Sequence, residues 1–410
     1  MANPSSVAVS APAAAADKRL RVLYHHRTQG RGAEGNHIVS IVTALRQLGH
    51  EVDVLSPPGV DPFDPESTVP VDKANAKTQG WSSIWKWISR HMPNSLFEVA
   101  EMFYNIPAYF RLRTALRVKQ YDLVFERYAF YLIAGALAAR GAGCKFLLEM
   151  NEVSGIPGRA RKQSLPRICA MFERFLFKRC DVGHAVSSYL GERAVANRLE
   201  SRRVVVAPNG FDIARLKTKV DRTEMRRRLG FDDGLIIGFA GWFDHWDRLD
   251  FMVENFAEVH RSHANARLCL VGDGPGLQHV RDRLAELRLQ HVAVLTGAVA
   301  RKDVYDYLQI FDIGLLPHSN VFGSPIIMFE LMGFKIPLVL PRLPPIQDVH
   351  GSGGSTALLF EPLDRQGCIE SLKQLIASEP LRRALSARAY EKLLIDHSWT
   401  ATAQKIVGAL

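Results

Sequence analysis

The sequence has few cysteines and no apolar run long enough to cross a membrane. Its 410 residues include five cysteines, which are widely spaced and mostly set among apolar residues. We expect reduced core residues, because the spacing fits neither a disulfide framework nor a metal site. The longest apolar run, from Leu132 to Leu148, is interrupted by Arg140 and Lys145 and cannot span a bilayer. A cytoplasmic protein is predicted, at most peripheral at the inner face of the cytoplasmic membrane.

The N-terminal residues also lack the features of a secretion signal. Residues 1–17 are small and Ala-rich, without a basic start or a bulky apolar centre, so a disordered tail is predicted. Lys and Arg together number 52 against 42 for Asp and Glu, which favours anionic partners such as nucleotide phosphates or acidic lipids. No nucleic-acid partner is expected, because the basic residues are scattered over both halves and form no recognised motif.

Short aliphatic strands alternate with longer amphipathic helices along most of the chain. This alternation is typical of doubly wound parallel α/β sheets. It occupies residues 18–207, gives way to a charged connection at 208–234, and restarts with the strand pattern of residues 235–241. Two α/β domains are therefore predicted, a number that also suits the length of the chain.

A candidate anion site lies where Gly323-Ser324-Pro325 leads into an apolar segment with one acid, Glu330. Ser324 suits an N-cap and Pro325 the first helical position, so a helix is predicted to begin there. Its unpaired amides would favour a phosphate at the carboxyl edge of a parallel sheet. Glu330 would be costly among apolar neighbours without a polar partner, which a ribose diol would supply. The alternative is a Glu on the solvated side of an ordinary helix.

Several further loops are predicted at the carboxyl ends of strands, where open α/β sheets bind ligands. In the second half, four strands end in Gly or Pro, at Gly241, Gly272-Asp273-Gly274-Pro275, Thr296-Gly297 and Pro317. In the first half, a glycine-rich loop containing Gly32 and Gly35 follows the first strand, and Arg127, Asn151 and Glu152 follow two later strands. The glycines would allow a close approach of the backbone to a ligand. The three polar residues are candidate cleft residues, although each equally fits a loop or cap position.

Residues 81–119 combine aromatic and basic side chains, among them Trp85, Phe103, Phe110, Arg113 and Arg117. Such a mixture would suit docking on an anionic membrane surface. Helices that pack on the sheet and expose a solvated basic side are an equal alternative.

The order of these segments resembles that of glycosyltransferases of the two-Rossmann-domain (GT-B) type, and is most similar to the retaining family 4, or glycosyl transferases group 1. The resemblance runs from about residue 20 to the C terminus. It rests on these stretches in the expected order: the loop 30–35, Gly49-His50-Glu51-Val52, Glu126-Arg127-Tyr128, Ala185-Val186-Ser187, 208–212, 271–275, Thr296-Gly297, 312–317 and 323–330.

The resemblance implies two Rossmann-like domains that face each other across a cleft. The acceptor domain would be 18–207, the nucleotide-sugar domain 235–396, and the last segment, 397–410, a helix that crosses back to the first domain. It further implies that Glu330 holds the donor ribose and that the loop from Gly297 to Val299 faces the base.

The remaining donor contacts implied by the resemblance come mainly from the backbone. They would be made by Gly241, Gly272, Gly274, Gly323, Ser324 and Pro325. No cofactor is implied, and no metal ion is expected, because no Asp-x-Asp pair stands where a divalent cation would bind.

The departures from the family concern its positive charges. The family usually carries an Arg and a Lys after the first donor-domain strand, whereas here only Arg248 remains, displaced by one residue. Phe322 and Ile327 stand where the family has an acid and, in a variant, a Lys. A diphosphate leaving group needs opposing charge. Arg248 is the first candidate to supply it, with Arg27, Arg31 or His245 as alternatives in a changed geometry.

Two hypotheses follow from this pattern. The first is a retaining, metal-independent hexosyl transfer, with Arg248 and Glu330 as the principal site residues. Its acceptor would be a hydroxyl group, for which the 81–119 segment suggests a polyprenyl-diphosphate-linked sugar of bacterial surface-polysaccharide assembly; a soluble acceptor is the rival. The second is a non-catalytic relative that serves as a binding or scaffold subunit, because the phosphate-neutralising residues are depleted.

Overall fold

The structure of the protein is a computed structural model that describes residues 19–30, 32–64, 93–156, 163–213, 220–231 and 234–410. The predicted tail 1–17, Arg31 and the first part of the 81–119 segment lie outside the described residues. No helix in the described ranges is long and apolar enough to cross a membrane.

The first half of the chain forms a parallel sheet of six strands within the described residues, in the order β2-β1-β3-β4-β5-β6. The strands are β1 (Arg21–His25), β2 (Glu51–Leu55), β3 (Leu123–Arg127), β4 (Lys145–Met150), β5 (Val182–Ala185) and β6 (Val204–Val206). Every residue of β3 is buried, as expected for a strand covered by helices on both faces.

Helices connect these strands in the right order for a doubly wound sheet. They are α1 (Gly32–Gln47), α2 (Asn94–Phe103), α3 (Asn105–Val118), α4 (Ala134–Ala142), α5 (Pro166–Arg179) and α6 (Ser188–Ala196). Helix α1 buries Ile38, Ile41, Val42 and Leu45 against the sheet, the apolar face that its sequence predicts.

The second half repeats this plan with six parallel strands in the order β12-β11-β10-β7-β8-β9, again counted within the described residues. The strands are β7 (Leu235–Trp242), β8 (Ala266–Asp273), β9 (Ala293–Leu295), β10 (Ile313–Leu315), β11 (Leu338–Pro341) and β12 (Leu358–Phe360). The helices are α7 (Arg222–Arg228), α8 (Leu249–Ser262), α9 (Leu277–Glu286), α10 (Arg301–Leu308), α11 (Ile326–Gly333), α12 (Pro344–His350), α13 (Arg365–Ala377), α14 (Glu379–Asp396) and α15 (Trp399–Val407). The predicted fold class, two doubly wound parallel sheets, is confirmed.

The last helix, α15, packs against the first half of the chain. Trp399, Ala403 and Ile406 are buried in the same core cluster as Ile38 of α1. The turn before α15 is fixed to the connecting segment, where the amide of Phe211 donates to the carbonyl of His397 at 3.0 Å. The two halves are therefore held together by packing as well as by the connecting chain.

The strand orders fix where a ligand can bind. In the first sheet, the chain passes from β1 to β2 on one side and then to β3 on the other. In the second sheet, β8 and β9 lie on one side of β7, and β10 to β12 lie on the other. A crevice opens at such a switch point, outside the carboxyl ends of the strands. Ligand-binding residues are therefore expected in the loops after β1, β3, β7 and β10.

Candidate active site

The loops after β7 and β10 meet at the switch point of the second sheet. The ring nitrogen Nδ1 of His318, in the loop after β10, lies 3.1 Å from the carbonyl oxygen of Trp246, in the loop after β7. The indole of Trp242, at the end of β7, is 62% exposed. These two loops therefore lie together at the carboxyl ends of β7 and β10, where a ligand would bind.

Helix α11 begins in this crevice, one residue later than predicted. Its N-cap is Pro325, and no side chain caps it. Ser324 is occupied elsewhere: its hydroxyl accepts the amide of Asn209 at 3.1 Å, and its carbonyl accepts the Asn209 side chain at 2.7 Å. The amides of Ile326 and Ile327 have no acceptor among the described residues. The predicted N-cap role of Ser324 is wrong, but the helix start still presents unpaired donors.

Glu330 lies in the second turn of α11 and is 2% exposed. Its sequence neighbours Met328, Phe329, Leu331 and Met332 are fully buried, so it does not lie on a solvated helix face. The hydroxyl of Tyr305, on α10, donates to Glu330 Oε1 at 3.3 Å. Glu330 is therefore a buried carboxylate with a tyrosine hydroxyl beside it, and in this apolar setting each hydrogen-bond donor that reaches it is stabilising.

The glycines of the second half serve mainly the packing of the loops on one another. A Cβ on Gly272, whose φ is +138°, would lie 1.9 Å from the carbonyl oxygen of Gly241. A Cβ on Gly274 would lie 2.7 Å from the amide nitrogen of Phe243. Gly297 has a φ of +69° and open space around it, so its backbone conformation alone explains the glycine.

The loop before α11 differs from the predicted phosphate cradle. The amide of Gly323 donates to Oδ1 of Asn320, so it is not available to a phosphate as predicted. This loop instead forms a turn closed by an asparagine side chain, a common role of that residue. Val299 is partly buried and packs against the core cluster that contains Met328 and Phe329 of α11.

Arg248 has a partner two residues away. Its Nε and Nη2 donate to the Asp250 carboxylate at 3.0 and 2.8 Å. This hydrogen bond is the main reason why the pKa of Arg248 is raised. The residue adopts a φ of +49°, a left-handed conformation that rarely suits a residue with a Cβ. The positive charge predicted here is present but largely offset by Asp250.

An acid lies in the same loop. Asp244 caps a short 3₁₀ helix, His245–Asp247, and its amide donates to Oδ2 of Asp247 at 3.1 Å. Burial raises the pKa of Asp247 to about 7, and the nearby Asp244 charge adds to the rise. Sequence analysis did not single out this residue. Its local signal is the Asp-x-x-Asp spacing of a capping box.

The positions where the family carries charge are apolar and packed. Phe322 packs against the core cluster of the first sheet, and its carbonyl accepts the hydroxyl of Ser187 at 2.6 Å. Ile327 packs against the second core. A further bond between the halves runs from the amide of Ser188 to Asp348 at 2.7 Å. The loop before α11 is therefore held by the first half of the chain.

A buried network occupies the carboxyl ends of β3 and β4 in the first half. Glu149 accepts the hydroxyl of Tyr24 at 3.0 Å and Nη1 of Arg127 at 2.5 Å, and Nε2 of His37 lies 3.0 Å away. Burial alone would raise the pKa of Glu149, but His37 and Arg127 outweigh it and hold that pKa well below its usual range. The Asn151 side chain also donates to Glu149.

Two of the three predicted cleft residues contact a buried carboxylate. Arg127 and Asn151 donate to Glu149, whereas Glu152 lines a cavity. That cavity has a volume of about 180 Å³ and is lined by Arg27, Glu98, Glu101, Phe130, Tyr131, Glu152 and Gln163. Arg27 donates to Glu101 at 2.7 Å at its wall. The signal for Glu98 and Glu101 was their spacing of three residues, which places both on one side of a helix.

The glycine loop after β1 is shaped by contacts within itself. Gly32 is the first residue of α1, and Gly35 lies in its first turn. A Cβ on Gly35 would lie 2.0 Å from the carbonyl oxygen of Gly30. Gly35 is thus required by the approach of the loop to the helix.

Known proteins share both halves of this arrangement. The family model described as glycosyl transferases group 1 matches residues 221–392, and the model described as glycosyltransferase family 4 matches residues 34–215. The D-inositol 3-phosphate glycosyltransferase of Stackebrandtia nassauensis is 27% identical over 227 residues, which are 52% of this chain and 49% of that protein. The GDP-mannose-dependent alpha-mannosyltransferase of Mycobacterium tuberculosis is 24% identical over 380 residues, or 91% of each protein. The chain spans about half the length of the first curated relatives it matches.

Solved structures share the whole architecture. The structure of Anabaena HepE in complex with UDP matches with a TM-score of 0.69 at 16% identity, covering 94% of this chain and 98% of that chain. At this identity the likeness shows a shared fold and nothing beyond it.

Proposed function

Because the chain belongs to the GT-B glycosyltransferases of group 1 and family 4, we propose that it transfers a hexosyl group from a nucleoside-diphosphate sugar to a hydroxyl acceptor. The transfer retains the anomeric configuration and needs no metal ion. The first half binds the acceptor, and the second half binds the donor.

The observation that carries this proposal is the position of α11 at the switch point of the second sheet, with unpaired amides at its start and the buried Glu330 in its second turn. The unpaired amides of Ile326 and Ile327 and the helix dipole favour the diphosphate. Glu330 lies one turn further along the helix and accepts hydrogen bonds from the ribose hydroxyls. It also accepts the hydroxyl of Tyr305. Solved structures of HepE hold UDP or UDP-glucose, which makes UDP the first nucleotide to try.

In this proposal, the charge that develops on the leaving diphosphate is met by Arg248. To do so, the guanidinium of Arg248 either releases Asp250 and binds the phosphate, or contacts the phosphate while it remains paired with Asp250. His318, near Arg248, provides a second nitrogen that can contact the diphosphate. Burial lowers the pKa of His318, and the charge of Arg248 lowers it further. Attack and departure on one face of the sugar need no protein nucleophile, and closure of the two halves excludes water.

The proposed acceptor is a polyprenyl-diphosphate-linked sugar at the inner face of the cytoplasmic membrane, as in the assembly of bacterial surface polysaccharides. The cavity beside Arg27 and Glu152 holds its terminal sugar. The volume of that cavity, about 180 Å³, is smaller than that of most ligand sites, so only the end of a long acceptor could enter it. The protein is proposed to be cytoplasmic and peripheral to that membrane.

A second candidate, a binding subunit without catalysis, is supported by the state of the phosphate-neutralising positions. Arg248 is paired with Asp250, the amide of Gly323 is occupied, and Phe322 and Ile327 are packed among apolar residues. A carboxyl group, Asp247, also lies in the loop after β7.

Calorimetric titration with UDP, GDP and ADP tests the donor site. We expect micromolar binding of one nucleotide and a loss of at least about tenfold in Glu330→Gln, because hydrogen bonds to a charged group contribute about 1.5–3 kcal/mol. Glu391→Gln, an exposed helical glutamate, is the matched control. Release of the diphosphate from the corresponding sugar nucleotide then separates the two candidates. Binding without release supports the subunit, and no binding of any nucleotide contradicts both the site and the transfer.

A further inference from the structure

Helices α2 and α3 present an exposed apolar stripe. Phe103, Ile106 and Phe110 are 64%, 56% and 58% exposed, and Leu96 is 52% exposed. Their spacings of three, four and seven residues place them on one side of the helical segment, whereas Ala108 and Leu112 on the opposite side are fully buried. Large apolar groups are seldom gathered on a free surface without a partner.

Two arginines continue the same stripe. Arg113 and Arg117 follow Phe110 by three and seven residues, are exposed, and have no carboxylate partner within the described ranges. The other two basic residues of this region are bound to protein. Arg111 donates to the carbonyl of Ser56 at 2.5 Å, and Lys119 pairs with the carboxylates of β2. Since α3 contains no acidic residue, no carboxylate of the same helix offsets the charge of the exposed Arg113 and Arg117.

The opposite side of α2 lines the cavity of the first half. Glu98 and Glu101 are among its lining residues, whereas Leu96 and Phe103 are on the outer side of the same helix. Successive residues advance by about 100° around a helix, which places these two pairs on opposite faces. The cavity is therefore separated from the outer stripe by about one helix diameter, roughly 10 Å.

We propose that this surface, formed by Leu96, Phe103, Ile106, Phe110, Arg113 and Arg117, binds an anionic lipid bilayer. The apolar side chains enter the boundary between headgroups and acyl chains, and the arginines contact the acidic headgroups. A second copy of the chain fits this surface less well, because two symmetric copies would bring their own uncompensated arginines together. The binding holds the cavity at the height of the headgroups. The identity of the acceptor that enters it rests on the proposed function, whereas the binding to lipid does not.

Co-sedimentation of the full chain with vesicles tests the proposal. Vesicles of 30% phosphatidylglycerol in phosphatidylcholine are compared with pure phosphatidylcholine, at low and moderate salt. We expect binding to the anionic vesicles only, weakened by salt. Arg113→Ala with Arg117→Ala should weaken it by about 30-fold, since each arginine near an anionic surface contributes about fivefold. Phe103→Ser with Phe110→Ser should weaken it by at least about tenfold.

Matched pairs on the second half serve as controls. Arg261→Ala with Arg281→Ala removes the same net charge, and Leu394→Ser with Ile395→Ser removes exposed apolar residues of α14. Both controls should bind vesicles as the wild type does. Equal losses in stripe and control variants would contradict the proposal, as would no wild-type binding to anionic vesicles. A wild-type dimer that the stripe variants dissociate would reassign the surface to self-association.

Nucleotide titration of the same preparations without vesicles keeps the two proposals apart. Stripe variants should keep the wild-type nucleotide affinity. Vesicle binding without nucleotide binding would contradict the proposed sugar transfer and support the lipid surface. Nucleotide binding without vesicle binding would contradict the lipid surface and the proposed membrane location, and would support the donor site.

Discussion

Replacement of Asp247 by asparagine should remove a pH-dependent loss of stability. The carboxyl group of Asp247 lies in the turn after β7, where the residue is partly buried, and this burial raises its pKa from an ordinary value of 3.8 to about 7. Asparagine can still accept the Asp244 amide through Oδ1, as Asp247 Oδ2 does at 3.1 Å, but it does not ionise.

The sign and size follow from the two pKa values. Below about pH 4, the group is protonated in both the folded and the unfolded chain and contributes no pH dependence. Between about pH 4 and 7, only the unfolded chain releases the proton, so the free energy of unfolding falls as pH rises. A rise of about three pKa units at about 1.36 kcal/mol each corresponds to a loss of about 4 kcal/mol, complete above pH 7. Asp247→Asn should therefore be more stable than wild type by up to about 4 kcal/mol at pH 8.5 and nearly equal to it at pH 4.

Urea unfolding at several pH values, followed by the fluorescence of the tryptophans, measures this difference. Trp246 adjoins Asp247 and reports on the same turn. Asp282→Asn, an exposed acid on α9, is the control and should parallel the wild type. If the wild-type and Asp247→Asn curves stay parallel from pH 5 to 8.5, the carboxyl is already ionised in the folded protein and the reasoning is refuted.

Three further predictions concern single side chains. Gly272→Ala should destabilise the second half by roughly 3 kcal/mol or more, because its Cβ would meet the Gly241 carbonyl at 1.9 Å at a φ of +138°; Gly353→Ala, with open space around it, is the control in thermal unfolding. Trp242→Ala should lower the rate of sugar transfer by about tenfold with unchanged nucleotide affinity, because the exposed indole offers an apolar face to a sugar ring. Equal losses in the transfer rate and in nucleotide affinity would instead place Trp242 at the nucleotide. Burial lowers the pKa of His397 to about 4, so stability should fall as pH drops from 6.5 towards 4, by about 2 kcal/mol at pH 5; urea unfolding of His397→Phe should lack this loss, and a slope equal to that of the wild type would contradict the assignment.

Much of the fold could be predicted from local patterns. The strand at 235–241 and the apolar face of α1 follow from periodicities that do not depend on distant residues. His184 lies between the apolar residues Val182 and Val186, a sequence context typical of a core histidine, and it is buried with Nε2 2.8 Å from the carbonyl oxygen of Ala207. The five cysteines, all within the described residues, are free as expected.

The site residues were harder to assign because their roles depend on partners brought by the fold. Ser324 looks like an N-cap in the sequence, but Asn209, 115 residues away, takes its hydroxyl. Arg127 follows a strand, as a cleft residue would, and the structure adds Glu149 on the neighbouring strand as its partner, which the sequence alone does not reveal. The amide of Gly323 was predicted to contact the pyrophosphate, but it donates to the side chain of Asn320. Strand and helix periodicities do not reveal such a competing side chain.

Hydrogen exchange of the backbone amides with and without UDP, GDP or ADP is the most direct test of the donor site. We expect one nucleotide to slow exchange at the start of α11, at Ile326 and Ile327, and in the loop from Gly297 to Val299, with little change in β3 or β4. Protection confined to the first half of the chain, or none with any of the three nucleotides at saturating concentration, would contradict the proposed donor site.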